Sequence, residues 1–136
     1  MLNAHDPTDD LRRAYPNYAT TILFSLITIG ALIGVPLYGF TYGYSWLDWT
    51  MFGILYVMTG LGITVGYHRL MAHRSFDCPN WVKTGFLIVG GWALQNSAFK
   101  WAADHIRHHA HTDHVHDPYN AQRGFWYSHC EWLFFT

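Results

Sequence analysis

YATTILFSLITIGALIGVPLYGF, residues 18–40, and WTMFGILYVMTGLGITVGY, residues 49–67, decide the fold of this chain. The first run is 23 residues without a charge and the second is 19. As helices, each is long enough to cross a hydrocarbon core of ~30 Å. Pro36 and the glycines are tolerable inside membrane helices. Between the runs, Thr41 to Asp48 reads as a short turn rich in Tyr, Gly and Trp. Tyr38, Tyr42, Tyr44, Trp46 and Trp49 form an aromatic belt there, as expected at a membrane–water boundary. The alternative is a pair of buried helices in a soluble core. Two apolar runs of this length in 136 residues weigh against it.

Charge placement agrees with a membrane helical hairpin. All eight Lys and Arg residues lie at Arg12 and Arg13 or from Arg69 onward, and none lies in the connecting turn. The positive-inside rule therefore puts both ends on the cytoplasmic side. Asp6, Asp9 and Asp10 precede the first basic residue, which is not how a secretory signal begins. Residues 1–17 read as a polar cytoplasmic tail. Only 12% of the chain is charged and the net charge is −1, so no bulk attraction to nucleic acid exists. Cys78 and Cys130 are far apart and read as free thiols rather than a disulfide framework or a Cys-zinc site. No address motif names a particular membrane.

Downstream, Trp81 to Leu94 is apolar but only 14 residues long and is interrupted by Lys83. That length suits an interfacial or re-entrant helix. From Asn96 the chain is polar, aromatic and His-rich, with a turn at Asp117-Pro118. The predicted architecture is an all-α integral membrane protein. A transmembrane helical hairpin (18–67) is followed by an interfacial helix and a cytoplasmic His-rich helical region, residues 68–136 forming part of a catalytic domain.

Nine of the ten histidines lie between His68 and His129. They include His68-Arg-Leu-Met-Ala-His73 and His105-Ile-Arg-His108-His109. Imidazole is the commonest metal-ligating side chain near neutral pH and suits iron, zinc and copper. His105, His108 and His109 stand at i, i+3 and i+4 and share one face of an α-helix. His68 and His73 are five apart, about 140° around an α-helix of ~3.6 residues per turn. They do not converge easily on one ion from one helix; they could bind separate ions or reach a cluster that sits across the helix end, which favours a two-metal centre over a single zinc. Neither box contains Glu, so the zinc-protease pattern is absent. Glu131 is the only Glu in the chain, which excludes a Glu-rich carboxylate di-iron site. Asp104, Asp113 and Asp117 could orient ligand imidazoles by accepting their other N–H; turn formation is the competing role for Asp113 and Asp117. His111, His114, His116 and His129 read as orienting or solvated groups, and His5 as a surface residue.

Gly62-Ile-Thr-Val-Gly-Tyr-His-Arg-Leu-Met-Ala-His-Arg-Ser75 resembles the first histidine box of the stearoyl-CoA (delta-9) fatty acid desaturases. Trp101-Ala-Ala-Asp-His-Ile-Arg-His-His109 resembles their second box, and Asp117 to His129 is similar to the segment that follows it. The resemblance implies an integral-membrane enzyme with two iron ions. Such an enzyme uses O2 and two electrons to place a cis double bond in a saturated acyl chain. It also implies a fatty acyl-CoA or acyl-lipid substrate. Electrons would come from cytochrome b5 or ferredoxin with an NAD(P)H reductase. Carried over by position, His68, His73, His105, His108 and His109 match iron ligands. Gln95, Asn96, Trp101 and Asp104 match substrate-binding positions, with Gln95 and Trp101 at the bend of the acyl tunnel. Asn96 and Asp104 would lie nearer the carrier.

Two departures stand out. Ala103 occupies a position where acyl-CoA enzymes of the family commonly carry Arg, which removes a phosphate-pairing group. The family's later spans and its third His-x-x-His-His box do not occur in these 136 residues, so the sequence reads as the N-terminal half of such an enzyme, inactive alone. Two rival readings are a His-rich membrane di-iron hydroxylase and a non-catalytic membrane protein that binds zinc or copper.

Overall fold

The computed structural model describes residues 15–135. The polar-tail reading of residues 1–14 lies outside the described residues. Among the described residues there are five α-helices. They are α1 (Tyr18–Tyr42), α2 (Trp46–Leu61), α3 (Asn80–Trp92), α4 (Ala98–His111) and α5 (Phe125–His129). A π-helix (Gly62–Ala72) continues α2, and short 3-10 turns occur at Ala121–Arg123 and Glu131–Phe134. Among the described residues the expected all-α class holds, with one isolated bridge between Pro16 and Phe135. The described residues divide into two compact units, one made of those up to Gly43 together with those from Ala110 onward, the other Tyr44–His109.

In the first unit, Asn17 caps α1 by accepting a hydrogen bond from the Thr20 N–H at 3.1 Å. The Asn17 N–H donates to the Phe134 carbonyl at 2.7 Å, and Phe24 meets Phe134 edge-on. No residue of α1 is buried, although most are apolar and none is charged. A helix that is apolar all round is built for a membrane or a large core. The segment after α4 is organised by buried Asp117 and Asn120. Asp117 accepts from the N–H groups of Asp113 (2.9 Å) and Tyr119 (3.2 Å). Asn120 Nδ2 donates to the His114 carbonyl at 2.8 Å.

The second unit begins with a capping box. The Ser45 N–H donates to Asp48 Oδ2 at 2.8 Å, and the Asp48 N–H donates to Ser45 Oγ at 3.3 Å. From there the helix runs unbroken through Ala72, 27 residues in all, longer at both ends than the apolar run Trp49–Tyr67. Among the described residues it and α1 are the two helices long and apolar enough to cross a membrane. Thr64 Oγ1 donates to the Gly60 carbonyl at 2.7 Å, the same i to i−4 bond that Thr50 and Thr59 make within α2.

Packing against α3 accompanies the π segment. A Cβ on Gly62 would stand 2.6 Å from the Gly90 nitrogen, and one on Gly66 would stand 2.8 Å from Phe86 Cβ. A Cβ on Gly90 would collide with the Tyr67 ring. Small residues four apart let two helix backbones approach closely, as at membrane helix interfaces. The buried apolar side chains of the described chain, Tyr67 and Leu70, both lie in this segment. Helix α3 has 13 residues, shorter than a membrane span needs.

Candidate metal centre

His68 and His73 sit on the π-helix, and His105, His108 and His109 on α4. One ligating nitrogen each from His68, His73, His105 and His109 lies within 4.8 Å of all the others. His73 Nε2 is 3.1 Å from His68 Nε2 and 3.0 Å from His105 Nε2. His105 Nε2 is in turn 3.0 Å from His109 Nε2. Of the two arrangements that the His68–His73 spacing left open, separate ions or a shared cluster, the nitrogens adopt the cluster. In a π-helix the backbone bond runs from residue i+5 to residue i. The His73 N–H does donate to the His68 carbonyl, at 2.9 Å. Residues five apart then stand one above the other, where an α-helix would have splayed them.

Hydrogen bonding alone does not account for this geometry. A ring nitrogen carries either one N–H or one in-plane lone pair, so it makes one in-plane hydrogen bond. His73 and His105 each have two Nε2 neighbours, and no choice of tautomers satisfies all three contacts. A cation among the four nitrogens would. Imidazoles ~2.1 Å from one ion and at right angles stand about 3.0 Å apart. Burial, followed by the neighbouring His68, His109, His73 and His108, lowers the His105 pKa to about 4. Its imidazole is therefore neutral at neutral pH, the form that ligates.

No family model matches the chain. Curated relatives match over most of its length. It is 37% identical over 137 residues to the sn-1 stearoyl-lipid 9-desaturase of Synechocystis, covering 99% of this chain and 42% of that protein. Identity to the human stearoyl-CoA desaturase is 41% over 82% of this chain and 30% of that protein. The Arabidopsis thaliana delta-9 acyl-lipid desaturase 1 is 42% identical over 70% of this chain and 31% of that protein.

The chain belongs to the delta-9 fatty acid desaturase family. It spans less than half the length of these relatives.

Other residues singled out in this desaturase chain fall into three places. His108 lies outside the group of four, its ring centroid 5.6 Å from that of His109 and 6.3 Å from that of His105. Trp101 stacks on His105 with centroids 4.8 Å apart, touches Tyr67 and His68 edge-on, and donates its Nε1–H to Gln95 Oε1 at 3.1 Å. Gln95 and Trp101 are thereby joined to each other and to the histidine cluster. Asn96 is exposed, in the left-handed region at φ 76°. Asp104 is buried and accepts from Lys100 Nζ at 2.8 Å, with Arg107 Nη1 4.0 Å away.

Asp113 and Asp117 take the turn-forming role, since their carboxylates accept backbone N–H groups. His111 and His116 pair at 5.4 Å between centroids, and His129 stacks on Phe125. Sequence reading missed Tyr67 as a wall for Trp101. It also missed Gly62, Gly66 and Gly90 as the reason the first box meets α3. The Gly62-x-x-x-Gly66 spacing was the available signal.

Proposed function

We propose that the protein containing this chain is an O2-dependent delta-9 acyl desaturase whose two iron ions are held by imidazoles. The observation carrying this reading is the convergence of four imidazole nitrogens from two boxes 32 residues apart. His68, His73, His105 and His109 hold one ion's surroundings, and His108, set aside from them, serves the second. Neutral imidazoles do not cancel the charge of the ions, which suits a strongly oxidising centre. When bound, the irons with O2 and two electrons from cytochrome b5 or ferredoxin and an NAD(P)H reductase supply the power to remove two hydrogens. The balance is one CH2–CH2 unit, O2, two electrons and two protons in, and one cis double bond and two waters out.

The chain's own residues position and shield. Trp101, fixed by Gln95 and stacked on His105, forms a rigid apolar wall beside the ligands that places one segment of acyl chain near them. Tyr67 closes the same wall from the π-helix. Asp104, charge-balanced by Lys100 and Arg107, and Asn96 lie toward the acyl carrier. Ala103 offers no guanidinium for a CoA phosphate, so an acyl-lipid is the better-matched carrier. The two long apolar helices form a membrane hairpin with both ends and the boxes in the cytoplasm. Residues 1–17 are then the tail, 18–67 the hairpin and 68–136 part of the catalytic domain.

The test is complementation with the full-length gene product in a host lacking delta-9 desaturase, read by gas chromatography of acyl chains. Cis-9 monounsaturated product and near two irons per protein are expected. An iron-loaded protein that yields hydroxylated chains, or no product with its electron donor supplied, overturns the reading.

A further inference from the structure

A pocket of about 530 Å³ opens where the π-helix ends, lined by Leu70, Met71, Arg74, Phe76, Asp77 and Lys83. Leu70, Met71 and Phe76 give it an apolar wall, and Arg74 and Lys83 bring two positive charges against one carboxylate. Asp77 Oδ1 lies 2.7 Å from Lys83 Nζ and accepts from the Cys78 N–H at 2.9 Å, and with its side chain 89% exposed the ion pair is open to water and to competition from a stronger anion. The carbonyl end of a helix ordinarily repels anions. Here two carbonyls of its closing turn are engaged. The Arg69 oxygen accepts from both the N–H and the Oγ of Ser75, and the His68 oxygen accepts from the His73 N–H.

Place and size select a ligand class. The pocket begins at the last residues of the membrane-length helix Trp46–Ala72, the depth of lipid headgroups. Basic pockets at that level bind anionic headgroups, and Arg pairs with phosphate through two parallel N–H groups. The volume falls in the range of small-molecule sites and far exceeds a bare phosphate. We propose that this pocket seats the phosphate of an anionic glycerophospholipid of the bilayer between Arg74 and Lys83, its glycerol and first methylenes against Leu70, Met71 and Phe76. This goes beyond the desaturase reading and rests only on the membrane placement of the helix.

The full-length protein in nanodiscs of mixed phosphatidylglycerol and phosphatidylcholine provides the test, read by native mass spectrometry of retained lipid. One retained phosphatidylglycerol and no retained phosphatidylcholine are expected. Arg74→Gln and Lys83→Gln should each weaken retention about fivefold, the scale of one interfacial cation. Asp77→Asn should strengthen it by a similar factor, a gain that misfolding cannot imitate. Arg123→Gln, distant in sequence and outside the pocket lining, should leave retention unchanged. Equal retention of the two lipids, or an Arg123→Gln loss as large as that of Arg74→Gln, overturns the proposal. So does displacement by millimolar inorganic phosphate, which would mark a site for soluble phosphate.

Discussion

The two histidine boxes reach one cluster by different helical rules. The second box lies on α4, where His105 and His109 are four apart and one α-turn stacks them. The first lies on the π-helix, where five residues close the turn and bring His73 over His68. Ligand spacing and helical register are therefore a matched pair. A His-x4-His motif carries no fixed angle until the register of its helix is known. The first box also depends on a neighbour, because the π segment lies against α3 through Gly62, Gly66 and Tyr67. The capping box and backbone ladder of α2 need no such partner.

Four measurements break or sharpen this comparison. Removing the hub should have the largest effect. His105 touches His73, His109 and Trp101, so His105→Ala should lower iron affinity by more than ~100-fold, beyond what loss of a ligand's supporting group costs. Iron content after gel filtration reads it, and retention of near-normal iron would sink the shared-cluster assignment.

Next comes the register itself. An alanine inserted between Leu70 and Met71 makes the spacing six, which fits neither helix, and should cost ~10–100-fold in metal affinity. Deleting Met71 instead gives a spacing of four and allows an ordinary α-turn, so it should cost less than the insertion. Equal losses from both changes would show that the π register is incidental. Cobalt substitution followed by absorption spectroscopy distinguishes the two.

Gly62→Val tests the support from α3. The new Cβ meets Gly90 backbone, and overpacking of this kind costs ~1–3 kcal/mol. Denaturation in mixed micelles should show the loss. Gly34→Val, where the surroundings are open, should show almost none.

The mildest effect is in pH. The His105 pKa falls from the ordinary imidazole value of 6.5 to about 4 in the folded chain. Between those values the unfolded chain binds a proton that the folded chain refuses. Metal-free protein should therefore lose stability as pH falls from 6.5 toward 4, with no further change from this group below 4. His105→Gln should flatten the slope of denaturation midpoint against pH in that window, and an unchanged slope would assign the titration elsewhere.

Much of the molecule was legible because its signals are local. Charge-free runs at residues 18–40 and 49–67 have only one economical backbone solution in hydrocarbon. The i, i+4 pair His105 and His109 follows from ordinary α periodicity, and Asp113 and Asp117 sit in turn-forming sequence. The histidine spacing with its flanking glycines and tryptophan also pointed to the desaturase family before any geometry was known.

Tertiary structure alone decided the rest. Helical register at Gly62–Ala72 is not written in the spacing of its apolar residues. It goes with a close approach to Gly90 and Phe86, which are distant in sequence. That register gathers His68 and His73 beside His105 and His109. Partner choice at Asp104 is likewise a matter of reach, since Lys100 and Arg107 fall within range on the same helix while the imidazoles turn to one another. The sequence determined which side chains and which helices are present. The contact between the π-helix and α3 decided which nitrogens meet, because a difference of one residue per turn rotates a side chain by far more than a metal site tolerates.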